Sequence, residues 1–243
     1  MRKRVDIMGA PIDQVTLDHA LHRFIEFVNN DRCSMIVTPN TEIVMEAQTD
    51  EELLQILMEA DLVIPDGIGL IYASKILNRG LTERVTGIDL MARILNYCNE
   101  EKRRVYFLGG KPGVAEKACE NIKGKYPQIS IVGVRDGYFK PHEEAEIIEE
   151  INHHMPDVLF VALGAPKQEK WIYGHRNDLK VKAAMGVGGS VDVWAGTVKR
   201  APDVYQKFGL EWFYRLMKEP WRYKRMMVLP KFMVKVLVKR VIG

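Results

Sequence analysis

Seven short apolar runs, spaced by helical patterns and turn residues, constrain this chain more than anything else in it. They are VDIMG (5–9), SMIVT (34–38), DLVIP (61–65), VYFLG (105–109), ISIVGV (129–134), VLFVALG (158–164) and AAMGVGG (183–189). Several are apolar throughout, as strands covered on both faces must be. Between them lie amphipathic stripes and caps. Leu17, Leu21, Phe24 and Val28 share one helical face behind a Thr16 N-cap, and Thr49 with Glu52 reads as a capping box. Thr86 and Asp89 suit the start of a helix over LMARILNYC, Val114, Ala118 and Ile122 line another, and HEEAEIIEEINHH supplies one more. Strand–helix alternation of this kind predicts an α/β, Rossmann-like fold: a largely parallel sheet with helices on both faces. Ligands in such sheets gather beyond the carboxyl ends of the strands.

Strand signals stop near residue 195, and the remainder reads as helices. The chain therefore divides into an α/β domain, 1–195, and a helical appendage, 196–243. Charge divides at nearly the same point. From Lys199 onward there are 12 Lys and Arg against 3 Asp and Glu, whereas the preceding residues hold 23 against 29. A mildly acidic body carrying a basic tail points to an anionic partner. Three cysteines without metal-ligand spacing suit a reducing cytoplasm. The N-terminal residues lack the apolar core of a signal peptide, and no uncharged apolar stretch approaches the roughly 18 residues a spanning helix needs.

Four strand ends carry loops with chemistry in them. VTPNTE presents Thr38 and Asn40; PDGIG presents Asp66; FLGGKPG places Gly109, Gly110 and Lys111 between a strand and a helix; LGAPKQ places Lys167 and Gln168 in a first helical turn behind Pro166. Glycines there would let backbone N–H groups approach a phosphate at a helix N-terminus. The same loops taken singly are ordinary α/β turns, and Asp66 alone is equally an N-cap or a turn residue. Neither GxGxxG nor GxxxxGK[ST] occurs. Asp-x-Asp is also missing, so nothing in the sequence demands a divalent ion or any other cofactor.

In the tail, Lys231, Lys235 and Lys239 recur every four residues, with Phe232, Met233, Val234, Val236, Leu237 and Val238 around them and Trp212, Phe213 and Trp221 upstream. Such a helix suits an anionic membrane surface; the alternative is a packed helix with snorkelling lysines. Pro230 predicts a kink or a break between two helical pieces. The tail's apolar content argues against nucleic acid.

Taken in order, TPNTEIV, PDGIG, LGGKPGVAEKA, LGAPKQEKW and GVGGSVDVWAGTVKRAP, with GLEWFYRLMKEPWRYKR beyond them, resemble the WecG/TagA/CpsF glycosyltransferase family over nearly the whole chain. The resemblance is strongest to its teichoic-acid branch. It implies an inverting, metal-independent transfer of N-acetylmannosamine from its UDP conjugate to the 4-hydroxyl of N-acetylglucosamine on undecaprenyl diphosphate. The place would be the inner face of the plasma membrane, with homo-oligomerisation left open. By this resemblance Asp66 is the base, and Thr38, Asn40 and Gln168 position the sugars. Arg84 belongs to the same pocket. Gly109, Gly110 and Lys111, with the tail's Arg215, Arg222 and Arg225, would steady the leaving nucleotide; Lys167 would bind substrate, and Asp192 would read the nucleoside or be a buried structural Asp. A sibling transferase using UDP-N-acetylmannosaminuronic acid or UDP-glucose is the nearest alternative, and a non-catalytic nucleotide-responsive membrane module the more distant one.

Overall fold

Among the described residues, seven of the eight strands come from the seven runs, but only six enter the main sheet. The computed structural model describes residues 2–220 and 223–242, with the side chain of Lys224 left aside. In chain order it opens with β1 (Arg4–Ile7), β2 (Ala10–Asp13), α1 (Leu17–Val28), β3 (Ser34–Val37), α2 (Thr41–Glu46), α3 (Glu51–Glu59) and β4 (Leu62–Val63). The middle of the chain gives α4 (Ile68–Ile76), α5 (Gly87–Glu100), β5 (Arg104–Gly109), α6 (Val114–Lys125), β6 (Ser130–Arg135), α7 (Glu144–His153) and β7 (Val158–Ala162). It continues through α8 (Lys167–His175), β8 (Ala183–Gly186) and α9 (Ser190–Trp194). The tail adds α10 (Asp203–Lys207), α11 (Glu211–Lys218), α12 (Tyr223–Met226) and α13 (Val228–Ile242).

The six-stranded sheet runs β4-β3-β8-β7-β5-β6, parallel at every pairing. Strand alternation divides the core into two layers. Met35 and Val37 of β3 pack with α2, α3, α4, α7 and α8 on one face, while Ile36 packs with α1, α5, α6 and α9 on the other. The first run departs from expectation. Its Met8 and Gly9 both have positive φ, 57° and 93°, which is what a two-residue type I′ turn requires. β1 therefore folds back on β2 as a separate antiparallel hairpin. Buried Asp13 ties that hairpin to the sheet: it accepts the Val63 N–H at 2.7 Å and binds the Arg2 guanidinium.

Local signals are read closely but not always to the residue. Thr16 and Thr86 cap as expected, accepting from His19 N and Asp89 N. α3 is capped by Asp50, which accepts from Leu53 N, rather than by Thr49, because Asp50 is the residue that holds the extended cap conformation. The break in the tail falls at Met227, and Pro230 sits in the first turn of α13, where its missing N–H has no helical partner to lose.

α13 lies against α4 and α2, with Phe232 and Val236 fully buried in the body's core. Its opposite side leaves Val234, Leu237, Val238, Val241 and Ile242 exposed. The lysines bond to the body, Lys235 to Gln48 at 2.7 Å and Lys239 to Asp6 at 3.2 Å. Among the described residues no helix is long and apolar enough to cross a membrane. Replacing Phe232 by Ala is expected to weaken the docking of α13 by about 3–5 kcal/mol. Urea denaturation against the wild type measures it, and an unchanged midpoint would show that the helix is dispensable to the fold.

Candidate active site

Asp66 leaves β4 through Pro65, but it does not serve the helix that follows. α4 is capped by Gly67 with no side-chain bond. The Asp66 carboxylate turns instead to another segment: Oδ1 accepts the N–H of Gly87, the first residue of α5, at 3.0 Å. Its own N–H donates to Pro39 O at 3.2 Å, fixing the loop beside the end of β3. Oδ2 takes no hydrogen bond among the described residues. Burial pushes this carboxyl up to about 6; the Gly87 N–H and the charges of Arg84 and Arg215 pull the other way, and Glu211 adds to the rise. A carboxylate held by one oxygen and titrating near neutrality is built to accept a proton.

A cavity of about 340 Å³ opens over it. It forms where neighbouring strands send their chains to opposite faces, β3 into α2 and β8 into α9. This is the topological switch point of the sheet. Thr38, Asn40, Gln168, Arg84, Arg215 and Arg225 line it together with Asp66. Thr38 Oγ1 donates to Gly186 O at 3.4 Å. Asn40 caps α2, its Oδ1 accepting from Glu42 N and Ile43 N, which leaves the amide nitrogen to offer a ligand. Gln168, 3% exposed, accepts the Gly188 N–H at 3.0 Å.

The tail closes one side. Arg84 meets Glu211 at 3.2 Å, and Arg200 binds Asp89 at 2.7 Å with Glu211 at 3.9 Å. Arg225 forms a fork with Glu42 at 2.6 and 3.0 Å. Close packing at two glycines makes the seam. A Cβ at Gly69 would sit 2.7 Å from Leu229 Cδ1, and one at Gly209, where φ is +69°, would sit 2.6 Å from Ile68 Cγ1. Both contacts fall on the residues just after Asp66.

Other expected residues stand outside the lining. The Gly110 N–H, anticipated as a phosphate donor, is given to Ala162 O at 2.9 Å, and its carbonyl accepts from Gly137. Gly109 lies so close to β7 that a Cβ would meet Ala162 O at 2.4 Å. That pair extends the β5–β7 pairing at the carboxyl end of the sheet. Lys111 is exposed, and Lys167 lies over the Phe139 ring, 5.2 Å from its centroid. Asp192 is half-buried on α9, just behind the cavity-lining Gly189 and Ser190. Arg222, with Trp221, lies outside the described residues. In place of the β5 loop, the end of β8 enters the cavity through Val187 to Ser190. Glu42 and Glu211 also line it without having been singled out, and so does Trp212, which the sequence grouped with the tail's membrane-facing aromatics. The two carboxylates carry no local motif; their role appears only once the tail is folded back.

The sequence model of the glycosyl transferase WecG/TagA/CpsF family matches residues 5–243. Among curated relatives, the N-acetylglucosaminyldiphosphoundecaprenol N-acetyl-beta-D-mannosaminyltransferase of Bacillus spizizenii is 38% identical over 233 residues, spanning 93% of this chain and 90% of its own. The protein of the same name from Bacillus subtilis is 38% identical over 204 residues, 84% of this chain and 79% of its own. That from Staphylococcus aureus is 36% identical over 235 residues, 96% of this chain and 92% of its own.

Proposed function

The chain belongs to the WecG/TagA/CpsF glycosyltransferase family, and from that premise we propose a specific reaction for it. N-acetylmannosamine passes from UDP-N-acetylmannosamine to the 4-hydroxyl of N-acetylglucosamine on undecaprenyl diphosphate, building the linkage unit of wall teichoic acid. The observation that carries the reading is the Asp66 carboxylate, anchored through Oδ1 and presented to a cavity with arginines on its wall. In this mechanism Asp66 takes the proton of the acceptor hydroxyl as that oxygen attacks the anomeric carbon. The bond to UDP breaks on the opposite side, its electron pair leaves with the diphosphate, and the anomeric configuration inverts.

Charge on the departing diphosphate needs preorganised positive groups. Arg84, Arg215 and Arg225 supply them from the cavity wall, with Arg222 assigned the same duty from the sequence. The nucleoside then extends past Ser190 toward Asp192 and the loop of Gly109, Gly110 and Lys111, with Lys167 on the same edge. Thr38, Asn40 and Gln168 hold the sugars. This division of labour gives a divalent ion no task. UDP release from UDP-N-acetylmannosamine with a soluble lipid-diphosphate acceptor analogue is therefore expected to persist in excess chelator. A loss restored by Mg²⁺ or Mn²⁺ would sink metal independence while leaving the transfer.

Residues 196–243 are assigned two duties, closing the site and meeting an anionic membrane surface at the cytoplasmic side. The exposed valines, Leu237 and Ile242 of α13, set among basic residues, support the second. A sibling donor is the competing reading. Assays with UDP-N-acetylmannosaminuronic acid and UDP-glucose separate it, since turnover of those alone would keep the class and reject the named sugar.

A further inference from the structure

Gln168 has both ends of its amide engaged. Oε1 accepts the Gly188 N–H at 3.0 Å, and Nε2 donates to Oε1 of Glu169 at 2.8 Å. These two bonds fix which way round the amide lies, because Gly188 N–H only donates and the carboxyl oxygen facing Nε2 accepts. Turning the amide over would set nitrogen against an N–H and oxygen against oxygen. Glu169 is 1% exposed, and its Oε2 has no hydrogen-bond partner among the described residues. Burial pushes its carboxyl up, against the Gln168 bond and with the charge of Glu46 adding to the rise. Such a group is costly to bury, and an apolar side chain of equal size would fill the same space at lower cost. The β8 backbone confines the pair: a Cβ at Gly186 would lie 2.7 Å from Gln168 Nε2 and 3.1 Å from Glu169 Oε1.

We propose that Glu169 is a positioning residue: through its Oε1 it orients the Gln168 amide, so that Gln168 presents a fixed N–H to the sugar bound over Asp66. The proposal rests on the assignment of Gln168 to the sugar site. What remains available on Gln168 is the second hydrogen of Nε2 and one lone pair of Oε1, and Glu169, together with the Gly188 N–H, determines that nitrogen rather than oxygen occupies the Nε2 end. A neutral Glu169 carboxyl still offers a carbonyl oxygen, so the orienting bond survives protonation.

Glu169→Met removes the acceptor at constant length and is expected to lower kcat on the order of 10- to 100-fold, with UDP affinity held within about twofold. Glu169→Gln keeps an acceptor oxygen and should restore most of that loss. In a Gln168→Ala background, Glu169→Met should cost little more, because the two act as one unit. The side-chain amide signals of Gln168 in ¹⁵N–¹H spectra, assigned by their loss in Gln168→Ala, should persist in Glu169→Gln and shift or broaden in Glu169→Met. Should Glu169→Met fail to fold, Gly186→Ala presses on the same amide and is expected to lower kcat likewise. Unchanged kcat and amide signals in either disturbing variant, or equal losses with and without Gln168, would overturn the assignment. The spectra answer the orientation question even if the named donor is not turned over, which keeps failure of the substrate reading separate.

Discussion

Asp66→Asn is expected to lower kcat by about 10²–10⁴-fold while making the folded protein more stable. The isostere keeps an oxygen for the Gly87 N–H, so the loop geometry survives and only the proton acceptor is lost. Burial sets the pH behaviour. The carboxyl titrates at about 6 in the fold, against roughly 3.9 in an unfolded chain. The folded state thus holds this proton more tightly, and ionising the group costs stability as pH rises through 6. Wild-type kcat should climb across pH 6 and level off above it, whereas Asp66→Asn should show no such limb. At pH 7.5 the variant should gain on the order of 1–3 kcal/mol, a gain fading as pH falls toward 4. Thermal denaturation at both pH values, run beside the rate profile, tests the pair. A variant that keeps its activity ends the general-base assignment, and one that loses activity together with stability points to collapse of the loop instead.

The second large effect comes from ending the chain after Ala195. The cut removes Glu211, Trp212, Arg215 and Arg225 from the cavity wall. Turnover is expected to fall by about 10²-fold or more, even with a water-soluble acceptor, because the electrostatic half of the site goes with the tail. All six strands of the parallel sheet and helices on both of its faces lie before the cut. The truncated body should therefore fold, with a lower melting temperature, since Phe232 and Val236 no longer cover the core around α4 and α2. Flotation with anionic vesicles separates the tail's two duties: the intact chain should bind and the truncated one should not. Full activity on the soluble acceptor after truncation would confine the tail to docking.

The sheet was legible because its inner strands are buried on both faces, which writes them as unbroken apolar runs; β6, at the edge, is half-buried throughout. The hairpin was not. Pro11 and Asp13 break the apolar pattern of β2, and the turn consists of Met8 and Gly9, of which only the second announces a left-handed backbone. In the cavity, Thr38, Asn40, Asp66 and Gln168 could be picked out because each lies in the loop or the first helical turn after a strand. The glycine loop after β5 gives the same signal, yet hydrogen bonds to Ala162 and Gly137 draw it into the carboxyl end of the sheet. Glu42 and Glu211 were hidden for the opposite reason. Each owes its partner to a contact across much of the chain, Glu42 with Arg225 and Glu211 with Arg84.

Those ion pairs bear on which anions the enzyme admits. Arg84 and Arg225 already carry internal counter-charges, so at these two side chains a free orthophosphate or sulfate ion must displace a carboxylate to bind. A small ion gains little by evicting a carboxylate that chain geometry returns at once. A ligand that brings sugar and base contacts along with its phosphates has the means to take those places and keep them.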